Sequence, residues 1–348
     1  MTNFFQSVFI KARDFFREAF SVALPLFRIM IPMIIVVKIL KEIGAIEILG
    51  QWLAPVMGIV GLPGSMGLVG IVGLPGSMGL VWAATMVAGF FPGMIVFADL
   101  AASEMLTVGQ VTVLTSMMLI AHSLPVELQI ADKAGPRWLS MGVLRIGGAL
   151  LYGLILNQIL LWGNWLAESS VLLWSPESGP VDLQTWAWDQ VVGLLLMFVI
   201  LLGIMLLMKV LDKFGLSKFL QSIFKPLLSK LGIGKEATNI TVIGITLGIS
   251  YGGGLIIKES HAGTIPPRDI FFALVLMGLF HSIVEDTLLM LLLGGSLWGF
   301  LVGRLIFALL AVWLLVRLLS LISDQRFQRY FFKPKAVYQV ASPADEPV

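Results

Sequence analysis

Residues 121–127 read AHSLPVE and residues 280–286 read FHSIVED, two segments in which His-Ser precedes a carboxylate within otherwise apolar sequence. Arg145 follows His122 by 23 positions, and Arg304 follows His281 by the same 23. Apolar periodicity does not set matched His-to-Arg spacings, so the chain reads as two copies of one unit. Upstream, LAPVMGIVG around Pro55 pairs with FKPLLSKLG around Pro226. Pro55 lies 67 positions before His122, whereas Pro226 lies 55 before His281. The difference of 12 is the length of GIVGLPGSMGLV, which fills residues 58–69 and recurs letter for letter at 70–81. Removing one copy puts the halves in register. Twelve extra residues within a continuous helix would turn everything beyond by roughly 120°, so the duplicate is expected at a helix break or loop.

The solvent for these repeats is lipid. Of the 348 residues, 58% are hydrophobic and 13% charged, with a mean hydropathy of +0.95, outside the range of a soluble domain. A bilayer-crossing helix needs about 20 mostly apolar residues. Such stretches run near 22–40, 83–98, 108–131, 139–162, 191–211, 238–257, 270–293 and 298–322, several of them interrupted by Gly or Pro. Lys11, Arg13, Asp14, Arg17 and Glu18 interrupt any apolar core in the first 20 residues, which argues against a cleaved leader. With Phe4, Phe5, Val8, Phe9, Phe15, Phe16 and Phe20 on a greasy side, this segment reads as an amphipathic helix in the membrane interface. The net charge of +2 gives no reason to expect a nucleic-acid partner, and the absence of cysteine excludes disulfides, thiolate metal sites and thiol catalysis.

Lys and Arg concentrate on the cytoplasmic side of short loops. The basic N-terminal segment, the run from Lys209 to Lys235 and the tail after Arg317 are therefore expected inside. The linker from Asn164 to Asp189 has no Lys or Arg and carries several Trp and acidic residues, so it is expected outside. Corresponding points of the two halves then lie on opposite faces, which is an inverted-topology repeat. The expected organisation is an interfacial helix at 1–21 and a first repeat at 22–163 containing the duplication. An extracytoplasmic linker at 164–190, a second repeat at 191–323 and a cytoplasmic tail at 324–348 complete it. The fold class is all-α: a polytopic protein of the bacterial inner membrane with broken or re-entrant helices and both termini cytoplasmic.

Inverted repeats with interrupted helices recur in secondary transporters, whose sites lie where such repeats meet. The candidates are ionisable residues inside apolar segments. His122 and Glu127 flank Pro125; His281, Glu285 and Asp286 occupy one stretch, with His281 and Glu285 four apart and expected on one helix face. A charge at the bilayer centre costs at least about 2.5–3.5 kcal/mol. These five are thus candidates to bind substrate or a coupling ion, as a proton relay, an ion site or a substrate clamp; the alternative is a lock between the two copies. GFFPGM (89–94) and SYGGGL (250–255) are expected helix breaks, with backbone from Gly89, Pro92, Gly93, Gly252, Gly253 and Gly254 open to a ligand; close helix packing through small residues is the alternative. Asp99, Lys258 and Glu259 are secondary candidates that read better as solvated loop positions. Arg145 and Arg304 lie deep enough to need a carboxylate partner or a snorkelling path; a structural ion pair is expected, with anion contact the alternative.

The paired segments GFFPGMIVFADL with AHSLPVE, and ISYGGGLIIKES with FHSIVED, resemble the Gate, or nucleoside-recognition, domain family. That family includes the membrane part of the bacterial ferrous-iron transporter, concentrative nucleoside transporters and spore maturation proteins. The resemblance covers about residues 25–160 and 190–320 as two copies and implies a transporter-type membrane protein without naming its substrate. This chain lacks both a GxxxxGK[ST] phosphate loop and the cysteine expected in the iron transporter's membrane part, which argues against nucleotide-driven iron uptake.

With three histidines in all, HExxH zinc sites are absent, as are a GxSxG elbow and a dinucleotide fingerprint. No catalytic residue, metal site or cofactor is expected. The leading reading is a transporter of a small polar solute or ion, nucleoside-like, metal or anionic. The alternatives are a non-transporting membrane regulator or assembly partner, and an intramembrane enzyme using a His–carboxylate pair on a lipid-linked substrate. The expected partners are membrane lipid, the solute or ion, and a second copy of the chain in a homo-oligomer.

Overall fold

A computed structural model describes residues 2–45, 48–49, 74–101, 104–171 and 182–333. Among these the chain is helical, with no strand. The first element, α1 (Thr2–Glu42), runs without a break through Pro25 and Pro32, as apolar membrane helices allow. The expected interfacial helix and first crossing are therefore one helix. The side chains of residues 1–12, on which the interfacial reading partly rests, lie outside the described residues, as do residues 58–73 of the tandem duplication.

Two short helices follow, α2 (Met78–Ala88) and α3 (Phe90–Ala101), separated by Gly89 alone. Next, α4 (Val108–Ile120) starts at a capping box in which the Thr107 hydroxyl accepts from the Gln110 amide, while the Gln110 side chain accepts from the Thr107 amide. Two orphan amides are thereby satisfied. Three residues separate α4 from α5 (Leu124–Ala134), and α6 (Trp138–Gly163) follows.

Asp182 caps α7 (Leu183–Lys213), accepting from the amides of Thr185 and Gln184. The Thr185 amide and hydroxyl, and after them the Gln184 amide, hold the Asp182 carboxyl below its usual range. Then come α8 (Leu216–Lys230), α9 (Lys235–Leu247) and α10 (Ile249–Ala262), the last two separated by Gly248. Next are α11 (Pro267–Leu279), α12 (Glu285–Leu292), a π-helical turn at Trp298–Gly303 leading directly into α13 (Arg304–Ser320), and α14 (Asp324–Tyr330).

Five of these segments are long and apolar enough to cross a membrane: Arg13–Glu42, Val108–Ala134, Trp138–Gly163, Leu183–Lys213 and Trp298–Ser320. The protein is an all-α polytopic membrane protein. Three expected crossings are not continuous helices. The stretches at 83–98 and 238–257 divide at Gly89 and Gly248, and the stretch at 270–293 divides after Leu279. The helix α7 begins at Leu183, within the segment expected as the linker, and the basic run from Lys209 to Lys235 contains α8.

The chain packs as two compact units that interleave in sequence. The first takes residues up to 123, 149–217 and 284–303; the second takes 124–148, 218–283 and the chain from 304 onward. In the first unit α2 lies against α3, α3 against α1, and α1 against α7, where the Phe20 and Phe198 rings sit 5.0 Å apart and Lys209 pairs with Glu18. The Tyr152 hydroxyl donates to the Gly299 carbonyl inside the π-helical turn at 2.5 Å. In the second unit α10 lies against both α9 and α5, and α11 against α13. The start of the segment expected as the cytoplasmic tail packs onto α11 and α5: Phe271 meets Phe327 edge-on at 5.5 Å, Arg268 donates to Asp324 at 2.8 Å, and Lys333 reaches Asp132 at 2.6 Å. Residues 334–348 lie outside the described residues.

Candidate functional site

Among the described residues of the second unit, four ionisable side chains are almost fully buried: Glu127 from the first turn of α5 (5% exposed), Arg145 on α6 (2%), His281 after α11 (3%) and Arg304 opening α13 (0%). Arg145 donates to Glu127 Oε2. The other carboxylate oxygen, Oε1, faces His281 Nε2 at 3.6 Å. Arg304 donates to the His281 carbonyl at 3.3 Å and its guanidinium lies 4.7 Å from the Phe280 ring centre, a cation–π contact. A buried carboxyl shared between a permanent cation and an imidazole ring is the central feature. Arginine cannot deprotonate in a protein, so Glu127 meets a fixed positive charge at one oxygen and faces His281 at the other.

The histidine's tautomer follows from its second contact. His281 Nδ1 lies 2.6 Å from the Met277 carbonyl oxygen. A carbonyl oxygen only accepts, so Nδ1 carries the proton. Nε2 is the atom facing Glu127.

The chain reaches this geometry by stopping α11 one turn short. After Leu279 the backbone is extended at Phe280, and Ser282 takes φ 46°, a left-handed conformation uncommon for serine. Residues held in sparsely populated conformations of this kind cost about 1–3 kcal/mol and persist where the surroundings fix them. Here the Ile283 amide donates to the Ile245 carbonyl at 3.2 Å. Gly248, at φ 95°, closes the other side: a Cβ there would come within 2.8 Å of Ser282 Oγ.

The first unit contains the same local construction. His122 Nδ1 lies 3.1 Å from the Met118 carbonyl, Ser123 has φ 46°, and Gly89 has φ 95°. A Cβ on Gly89 would again meet a serine hydroxyl, that of Ser123, at 2.8 Å. The Ser123 amide donates to the Thr85 carbonyl at 3.0 Å. The Phe90 ring lies 3.9 Å from the His122 ring, centre to centre.

Several expected site residues fall elsewhere. His281 and Glu285 do not share a helix: His281 sits in the interruption and Glu285 begins α12, where it is exposed while Asp286 beside it is buried. Gly89 is a helix break as expected, but Pro92 and Gly93 lie inside α3, and Gly252, Gly253 and Gly254 lie inside α10. The break in the second half is Gly248, ahead of the glycine run. Gly93 and Gly252 serve close packing instead, since a Cβ would run into Thr85 in one hairpin and into the Gly244 backbone in the other. Asp99 pairs with Lys41 at 3.1 Å. Lys258 and Glu259 are on α10 rather than in a loop; Lys258 is exposed, and Glu259 accepts from the Thr264 hydroxyl at 2.7 Å.

Sequence reading did not single out Ser123, Ser282 or Gly248. A signal was present in the His-Ser pair and in Gly248, which precedes SYGGGL as Gly89 precedes FFPGM, but φ values are not written in residue types. Asp269, at the start of α11, was also passed over. Burial raises its carboxyl above the usual range, the Gly234 amide at 3.3 Å opposes this, and the charge of Glu236 adds to the rise.

No protein-family model matches the chain, and no solved structure does. The chain is similar to the uncharacterized membrane protein YvoD of Bacillus subtilis (strain 168). The two are 26% identical over 286 residues, which cover 81% of this chain and 86% of that protein. This likeness and the apolar helices place the chain among membrane proteins.

Proposed function

We propose that this membrane protein is a transporter of a small polar solute or ion, built on two Gate-type copies of inverted topology in the inner membrane, with both termini cytoplasmic. The observation that carries the reading is the buried Glu127–His281 contact with Arg145 at the carboxylate's far oxygen, placed where helices stop and restart. Intramembrane ionisable groups are expensive and mark ion or substrate pathways more often than scaffolding. Interrupted helices also leave backbone groups that a continuous helix would consume. The paired helix breaks at Gly89 and Gly248, each facing a left-handed serine, support the two-copy reading.

Thermal stability of the detergent-purified protein tests this against nucleosides, divalent metals, small anions and lipid phosphates, because a ligand stabilises the state it binds. A ligand that raises Tm in the unmodified protein but not in a His122→Gln/His281→Gln variant supports transport and names the substrate class. Flux of that ligand into proteoliposomes, lost in the same variant, completes the test. No shift from any of the panel favours the regulator or assembly-partner reading.

A further inference from the structure

We propose that α8 (Leu216–Lys230) lies in the plane of the membrane surface and binds anionic phospholipid, its lysines meeting headgroup phosphates and its free apolar edge entering the acyl layer. This surface role goes beyond the transport reading and does not rest on it.

The helix reads LSKFLQSIFKPLLSK, with three lysines and no carboxylate. Wound at about 3.6 residues per turn, the apolar residues at 216, 219, 220, 223, 224, 227 and 228 cover about half of the circumference. Lys218, Gln221, Ser222, Lys225 and Ser229 fall on the other half. A basic amphipathic helix of this kind belongs at a membrane surface.

The structure divides the apolar half in two. Along one edge Phe224 and Leu228 are buried, and the Phe224 ring lies 6.3 Å from that of Phe280, the residue before His281. Along the other edge Phe219 is 60% exposed and Ile223 46%, so a hydrophobic strip stands beside the basic one without cover from the protein.

Charge and chain position name the occupant. Lys218, Lys225 and Lys230 are exposed, and among the described residues none of them is in an ion pair. Uncompensated cations beside an exposed phenylalanine call for anion and hydrocarbon together, which an anionic phospholipid supplies in one molecule. Only Phe214 and Gly215 separate α8 from Lys213, the last residue of α7, which is long and apolar enough to cross the membrane. Gly215, at φ 82°, makes the turn. A helix begun so soon after a crossing starts at the edge of the hydrocarbon, where the headgroups lie. Through Phe224 the lipid-bound helix touches Phe280, whose ring also receives the Arg304 guanidinium at 4.7 Å. Lipid binding therefore bears on the helix interruption that holds His281.

The chain has no cysteine, so single nitroxide labels report on chosen positions of the full-length protein in liposomes of mixed phosphatidylglycerol and phosphatidylcholine. Labels at Phe219→Cys and Ile223→Cys should be relaxed by oxygen, at a depth of about 5–10 Å into the headgroup–acyl boundary. Labels at Lys218→Cys and Lys225→Cys should respond to a water-soluble nickel chelate. If positions 219 and 223 respond to the chelate instead, α8 stands in water, as a docking face for an acidic protein would, and the proposal is overturned.

A lipid titration in detergent tests the headgroup chemistry. Phosphatidylglycerol should raise Tm more than phosphatidylcholine, and the gain should shrink as salt rises. The half-saturating lipid concentration should increase about fivefold for each lysine removed, on the order of 100-fold in Lys218→Gln/Lys225→Gln/Lys230→Gln. Lys218→Arg/Lys225→Arg/Lys230→Arg, which keeps the charge, should leave it nearly unchanged. So should Lys133→Gln/Arg326→Gln/Arg329→Gln, which removes equal charge from other exposed positions. Equal gains from the two lipids, or equal losses in the two Gln variants, overturn the binding of headgroups at α8. The transport reading stands or falls separately, on ligand-dependent Tm and flux.

Discussion

Replacing either member of the Glu127–Arg145 pair should be costly, and the two replacements should differ in a defined order. Both side chains are buried to within a few per cent. Breaking a buried pair by removing one partner costs about 3–5 kcal/mol, whereas replacing both by apolar groups of similar volume is often neutral. Glu127→Leu leaves the Arg145 guanidinium buried, and it cannot shed its charge; the upper end, about 5 kcal/mol, is expected. Arg145→Met leaves Glu127, whose Oε1 still faces His281 Nε2. A carboxyl left without its cation can shed its charge, which a guanidinium cannot, so the loss should be nearer about 3 kcal/mol. The double variant should lose less than the sum of the singles by at least about 2 kcal/mol. Equilibrium unfolding in mixed detergent micelles, followed by tryptophan fluorescence, measures all four corners of the cycle. Single losses below about 1 kcal/mol, or additive singles, would refute a buried, mutually dependent pair.

Other tests address the backbone and the periphery. Gly89→Ala and Gly248→Ala each place a Cβ at φ 95° within 2.8 Å of a serine hydroxyl; each should lower stability by about 1–2 kcal/mol from the backbone alone, read by thermal unfolding, and unchanged Tm in both would refute the hairpin geometry. Because burial raises the folded-state pKa of Asp269, the native state holds its proton over a range where the unfolded chain has lost it. Stability should therefore fall as pH rises from the ordinary carboxylate value through the folded one, and Asp269→Asn should flatten that slope in pH-dependent melting curves. Deleting residues 70–81 leaves the identical copy at 58–69 joined to Trp82 and thus to α2; the shortened protein should insert and purify normally, with altered ligand binding or flux, and failure to insert would show the extra copy to be structural.

Much of the fold was legible because lipid simplifies the code: apolar length gives crossings and Gly-rich interruptions give breaks. The depth of Arg145 and Arg304 inside apolar helices pointed to partners for them, and Arg145 donates to Glu127. The errors are local. SYGGGL looked like the interruption because three glycines are poor helix formers in water, yet within α10 Gly252 and Gly253 let helices approach closely, and the positive φ fell on Gly248 instead. His281 and Glu285 were read on one face because i, i+4 spacing assumes an unbroken helix, and the left-handed Ser282 lies between them. The helix α8 was hidden by its lysines, although apolar residues at 216, 219, 220, 223, 224, 227 and 228 have helical spacing. Side-chain partners separated by more than 100 residues, such as Glu127 and His281, lay beyond what periodicity can supply.

The Nδ1 contact to Met277 gives His281 a second occupation. A helix that stops inside a bilayer strands its final carbonyls where no water can reach them, and the imidazole attends to one of these. The ring is thus a piece of main-chain carpentry, and it cannot swing away without taking a donor from an oxygen in oil. Asparagine can bring an amide nitrogen near the place of Nδ1 with no ring to face Glu127. It is the replacement that separates the two occupations: a protein that keeps its helix end but has lost the imidazole beside the carboxylate.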